Sequence, residues 1–118
     1  MGLRDLAKRL TTPVEELEQE RLHDRLAHLH LTPIGELVPR RVAKVGGEVI
    51  RTRLTPYSGV QTFEITVSDG TGKVVALFTG RRHMAGLEHH RAVVLEGVAR
   101  VERGRVVMLN PAYTLLAG

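Results

Sequence analysis

Apolar and polar residues alternate through one part of this chain and recur at wider, helical spacing in another. From Phe63 the apolar residues fall at Phe63, Ile65 and Val67, the period of a strand with one buried face, and the following run carries Val74, Val75, Leu77 and Phe78. Between them lies Ser68-Asp69-Gly70-Thr71-Gly72, whose Asp-Gly and Thr-Gly pairs supply the positive backbone angles of a tight hairpin. The pattern predicts strands over Val42 to Leu54, Val60 to Ser68, Lys73 to Thr79, Arg91 to Glu102 and Arg105 to Leu109. In the first, Gly46-Gly47 is the expected place for a bulge or bend. Upstream, Leu3, Leu6 and Leu10 recur at helical spacing, and Thr12-Pro13-Val14-Glu15 reads as a capping box with Pro at the first helical position. A helix is predicted from Pro13 to Leu29, with Val14, Leu17, Leu22, Leu26 and Leu29 as a narrow apolar stripe on a charged surface.

His30-Leu31-Thr32-Pro33-Ile34-Gly35 ends the helical pattern and divides the chain into a helical segment, residues 1–31, and a β domain, residues 32–118. The expected fold is mainly β: a five-stranded Greek-key barrel of the OB-fold type preceded by an N-terminal α-helical segment. Gly80 to Glu88, between the third and fourth strands, has the length of one or two helical turns, where an OB-fold commonly places a short helix. Strand parity assigns the interior to Val45 or Val49, Phe63, Ile65, Val67, Leu77, Val93, Leu95, Val98 and Val106. Phe78 is left open between core and surface.

Length and composition narrow the function. A chain of 118 residues suits one domain of ordinary size. It has no Cys, which excludes disulfides, thiolate metal sites and cysteine nucleophiles and suits a reducing compartment. No apolar run reaches the roughly 20 residues of a membrane span, and MGLRDLAKRL is too charged for a signal peptide, so a cytoplasmic protein without membrane contact is expected. The net charge of +4 is uneven: residues 1–40 hold six Lys and Arg against seven Asp and Glu, and residues 41–118 hold eleven against six. Fourteen of the seventeen basic residues are Arg, whose guanidinium grips a phosphate bidentately and stacks on a base. A basic barrel attracts polyanions.

The runs ITVSDGTGKVVALFTGRR and EGVARVERGRVVMLNPAYTLL carry a family likeness. Their Asp69 to Gly72 turn, Phe78, Glu96-Gly97 and Asn110-Pro111-Ala112-Tyr113 resemble small stand-alone OB-fold nucleic-acid-binding proteins of actinobacteria. More distantly, they are similar to the wedge domain of RecG-type helicases and to anticodon-binding barrels of aminoacyl-tRNA synthetases. The resemblance covers about residues 32 to 116 and implies an OB-fold whose ligand is nucleic acid, although OB-folds also bind oligosaccharides and proteins.

The candidate interface follows from strand parity. Arg51 and Arg53 share one face of the first strand, and Thr62, Glu64 and Thr66 are the outward set of the second. Tyr57 in one flanking loop, Arg103 and Arg105 in the other, Phe78 at the end of the third strand, and Arg81 and Arg82 after it complete the set. Glu64 argues instead for an ordinary solvated face. With only Tyr57, Phe63, Phe78 and Tyr113 aromatic, affinity is expected to come mainly from charge rather than stacking. His83, His89 and His90 match no standard zinc pattern, Gly70-Thr71-Gly72-Lys73 lacks the rest of a phosphate-binding loop, and no nucleophile–base pair is evident. The expectation is therefore non-catalytic binding of single-stranded or structured DNA or RNA, with no cofactor or metal. The alternative is an adaptor module docking on a larger replication, repair or transcription component. The N-terminal helix would pack on its own barrel, on a copy of itself, or on a different protein.

Overall fold

β-branched and apolar residues at every second position commit the middle of this chain to long strands, and the computed structural model describes them over residues 30–116. The helix predicted from Pro13 to Leu29 lies outside the described residues. The strands are β1 (Val42–Tyr57), β2 (Val60–Ser68), β3 (Lys73–Thr79), β4 (Ala92–Glu102), β5 (Arg105–Leu109) and β6 (Ala112–Leu115). β1 pairs antiparallel with β2 through its second half and with β4 through its first. β2 pairs antiparallel with β3, β3 runs parallel to β5, and β5 pairs antiparallel with β4. The ring β1-β2-β3-β5-β4 therefore closes on β1, giving a five-stranded OB-like barrel, with β6 added on β4.

Closure depends on how β1 changes partners. Gly47 lies where β1 passes from β4 to β2, and a Cβ there would sit 2.5 Å from the carbonyl oxygen of Ser68. That backbone approach explains the glycine. The register irregularity itself falls three residues later than the expected Gly46-Gly47: Val49 pairs with Val67 and Arg51 with Thr66, leaving Ile50 as the extra residue. A one-residue bulge inverts the faces of everything after it. Val49 therefore points into the barrel while Arg51 and Arg53 point out.

The interior is built from Val45, Val49, Phe63, Ile65, Val67, Val93 and Leu95, as expected, together with Val74, Ala76, Phe78, Ala99 and Met108. Val106 packs on this cluster but is only partly buried. Two expected core residues are placed differently. In β3 the register sets Val74, Ala76 and Phe78 opposite Val67, Ile65 and Phe63, so these three face inward. Leu77 lies on the other side of the strand, in a separate outer cluster with Val75 and Val107. Val98 is exposed because it stands one place out of phase with Gly97 and Ala99, beside the still more exposed Val42.

The segment from Gly80 to Glu88 forms turns rather than the expected helix. Gly80 and Gly86 take positive φ angles that break any helical run, and Leu87, 1% exposed, enters the core cluster from the connector with Met84 packed partly buried against it. Near the start of the described residues a 3-10 turn, Ile34–Glu36, buries Ile34. The Asp69 to Gly72 hairpin turn holds it: Asp69 Oδ2 accepts from the Ile34 amide at 2.9 Å, and Thr71 Oγ1 accepts from the Gly35 amide at 3.0 Å.

Candidate functional site

The outer face of β1, β2, β3 and β5 forms a groove. Its floor is the apolar set Val75, Leu77 and Val107, against which the Tyr57 ring packs. Its walls carry Arg51, Arg53, Lys73, Arg103 and Arg105. The groove comprises two concavities of about 510 and 590 Å³, both within the size range of small-ligand sites. Ile50, Arg51, Thr66, Lys73 and Val75 line the first; Pro56, Tyr57, Ser58, Leu77 and Arg103 line the second. Arg53, Glu64 and Arg105 are common to both.

Glu64 organises the middle of this groove. It is the outward residue of β2 opposite Arg53 on β1 and Leu77 on β3, and it is 3% exposed. Its Oε2 meets Arg53 Nε at 2.7 Å, and its Oε1 accepts from Arg105 Nη1 at 3.3 Å. A buried carboxylate requires such partners. The two arginine side chains remain about two-fifths exposed, at 43% and 42%, and their other N–H donors make no hydrogen bond among the described residues.

A second network joins the ends of two strands. The Tyr57 hydroxyl donates to Glu102 at 2.8 Å and accepts from Arg100 Nη2 at 3.0 Å, while Arg100 and Glu102 pair at 2.9 Å. Tyr57, expected in a flanking loop, is the last residue of β1, which pairing with β2 extends past Leu54, so the end of β1 is tied to the end of β4. The hydrogen bond to the Glu102 carboxylate, aided by desolvation, holds the Tyr57 phenol above its usual pKa, against the opposing pull of Arg100. Arg51, Lys73 and Arg103, by contrast, make no ion pair among the described residues.

Of the residues expected at the interface, Arg51, Arg53, Tyr57, Thr66, Arg103 and Arg105 come together here. Four do not. Phe78 points into the barrel, 4% exposed, edge-on to Tyr113 at 5.7 Å, because its register partner is the inward Phe63. Thr62 is fully buried and spends its hydroxyl on the Val60 carbonyl at 2.8 Å. Arg81 and Arg82 are exposed on the connector but line neither concavity. Sequence reasoning missed Lys73, Arg100 and Glu102; the phase of Lys73 with Val75 and Leu77 was the available signal for the first. His83 lies against Phe63 and His90 pairs with Glu48 at 2.6 Å. Among the described residues no cluster of His, Asp or Glu is arranged to hold a metal ion, and no helix is long and apolar enough to cross a membrane.

A solved structure shares this architecture. The solution NMR structure of the replication factor A related protein from Methanobacterium thermoautotrophicum superimposes with a TM-score of 0.59 at 14% sequence identity. The match covers 75% of this chain and 92% of that one. The likeness is one of fold. No protein-family model matches the sequence, and no curated protein matches it.

Proposed function

We propose that this protein binds nucleic acid without catalysing a reaction, laying a single-stranded or structured DNA or RNA strand along the outer groove with little sequence preference. The observation that carries the reading is the groove's charge: among its lining residues Arg51, Arg53, Lys73, Arg103 and Arg105 stand against Glu64 and Glu102. Guanidinium groups on an open strand face suit a phosphate backbone, and the half-buried Tyr57 ring suits the face of a base. The fold shared with a replication factor A related protein supports the same ligand class. With a cysteine-free sequence, the reading is of a cytoplasmic protein.

A second reading, as a protein-interaction module, draws on the exposed register pair Val42 and Val98 on the β1–β4 side of the barrel. Binding titrations against single-stranded DNA, duplex DNA and RNA over a range of salt concentrations separate the two. Nucleic-acid binding requires affinity that falls linearly on a log–log plot as salt rises. No affinity for any of the three at low salt, where attraction is strongest, would leave the interaction reading in its place.

A further inference from the structure

We propose that Arg53, Glu64 and Arg105 form a seat for one internal phosphodiester of the bound strand, with Glu64 as the positioning residue that sets the two guanidinium groups. This rests on the nucleic-acid reading and adds to it a defined contact. The three residues are the ones shared by both concavities, so they mark the ridge a strand must cross between its two halves. On either side lies room beside a half-buried apolar side chain, Ile50 in one direction and Tyr57 in the other. A phosphate on the ridge with a nucleoside to each side is the chemical grouping that fits.

The charges agree with a diester. Two guanidinium groups and one carboxylate leave the trio with a single positive charge, which one phosphodiester monoanion neutralises. Glu64 engages Arg53 through Nε and Arg105 through Nη1, leaving the Nη groups of Arg53 and the remaining N–H donors of Arg105 for the ligand. Without the carboxylate the two side chains would repel each other and lose their fixed directions; with it, they are arranged before the ligand arrives. Glu64 does this from beneath, at 4% side-chain exposure, so it does not itself confront the phosphate in the open.

This assignment opposes the prediction of net charge alone. Glu64→Gln removes a negative charge from the face, so if the carboxylate were only a competitor for the arginines, binding would tighten and its salt dependence would steepen. A positioning role requires the reverse: binding to a fluorescent oligodeoxythymidylate of about 15 nucleotides should weaken roughly fivefold or more. Arg53→Lys is the second variant, since it keeps the charge and a partner for Glu64 and guards against a Gln variant that fails to fold. Its single ammonium would be held by Glu64, and binding should weaken similarly while the thermal unfolding midpoint stays near wild type. Tighter binding by folded Glu64→Gln, or wild-type affinity in Arg53→Lys, would overturn the seat. A wild-type protein that does not bind the oligonucleotide at low salt would instead fail the underlying reading, a result the wild-type titration reports before either variant is made.

Discussion

Arg51 and Arg53 occupy the same face of β1 two residues apart, yet alanine should act differently at each. Arg53 is paired at 2.7 Å with a carboxylate that is 4% exposed, and its removal leaves Glu64 with Arg105 alone at 3.3 Å. Breaking a fully buried ion pair costs about 3–5 kcal/mol. Arg53 is 43% exposed, and water both screens the pair and can partly replace it. Discounted for that and for the surviving Arg105, the cost falls to about 1–2 kcal/mol. At about 4–8 °C per kcal/mol for a domain of this size, Arg53→Ala should lower Tm by roughly 5–15 °C. Arg51 makes no ion pair among the described residues, so Arg51→Ala should leave stability within about 0.5 kcal/mol of wild type. Its loss should appear instead in binding, flattening the slope of log affinity against log salt by about 0.7 if it meets one phosphate. Melting curves by circular dichroism and anisotropy titrations at several salt concentrations measure both quantities. Equal losses of Tm in the two variants, or none in either, would refute the claim that Glu64 divides these arginines into one held and one free.

Three further outcomes follow from the fold. Gly47→Ala places a Cβ 2.5 Å from the Ser68 carbonyl oxygen, a backbone atom with little room to give, and should cost about 1–3 kcal/mol or more in urea unfolding. Asp69→Ala removes the acceptor for the amides of Ile34, Thr71 and Gly72 and should cost about 1–3 kcal/mol, with Asn recovering part of it, by the same measurement. Tyr57→Phe tests the raised pKa of the phenol. A group whose pKa is higher in the folded state contributes stability below its unfolded value, about 10 for Tyr, and loses it as pH rises through the folded value. The Tm difference between wild type and Tyr57→Phe should therefore hold from neutral pH to about 10 and close above it; a difference that grows in alkali would show that the hydrogen bond to Glu102 is not its source.

Most of the barrel was legible because its signals are local. The alternation in β2 and the Gly-rich turn after it set both strand limits and hairpin register, and Val60–Ser68 and Lys73–Thr79 emerge with the predicted bounds. Leu77 was assigned to the wrong face of β3 because Val74, Val75, Ala76, Leu77 and Phe78 are all buried, some inside the barrel and some under Tyr57. A strand covered on both sides has no alternation to read. The missing connector helix has a similar cause. The length of Gly80 to Glu88 fitted a helix, but Gly80 and Gly86 turn the chain, and only Leu87 and the partly buried Met84 reach the core from there.

The interface was legible only as far as parity survived along β1. Counting alternate residues places Arg51 and Arg53 on a shared face, but cannot say which face, since without the extra residue at Ile50 they would share the inward direction of Val49. No glycine marks that bulge; Gly46-Gly47 drew attention to a neighbouring site whose demand was close backbone approach. Glu64 was the residue with most against it in the sequence, an acid on a face argued to be basic. Only the pairing of β2 with β1, which puts Glu64 beside Arg53, and the closure of β5 onto β3, which brings Arg105 over it, change its meaning. The first is a matter of hairpin register and the second joins residues 41 apart, and together they turn the apparent objection into a reason for the two arginines to stand where they do.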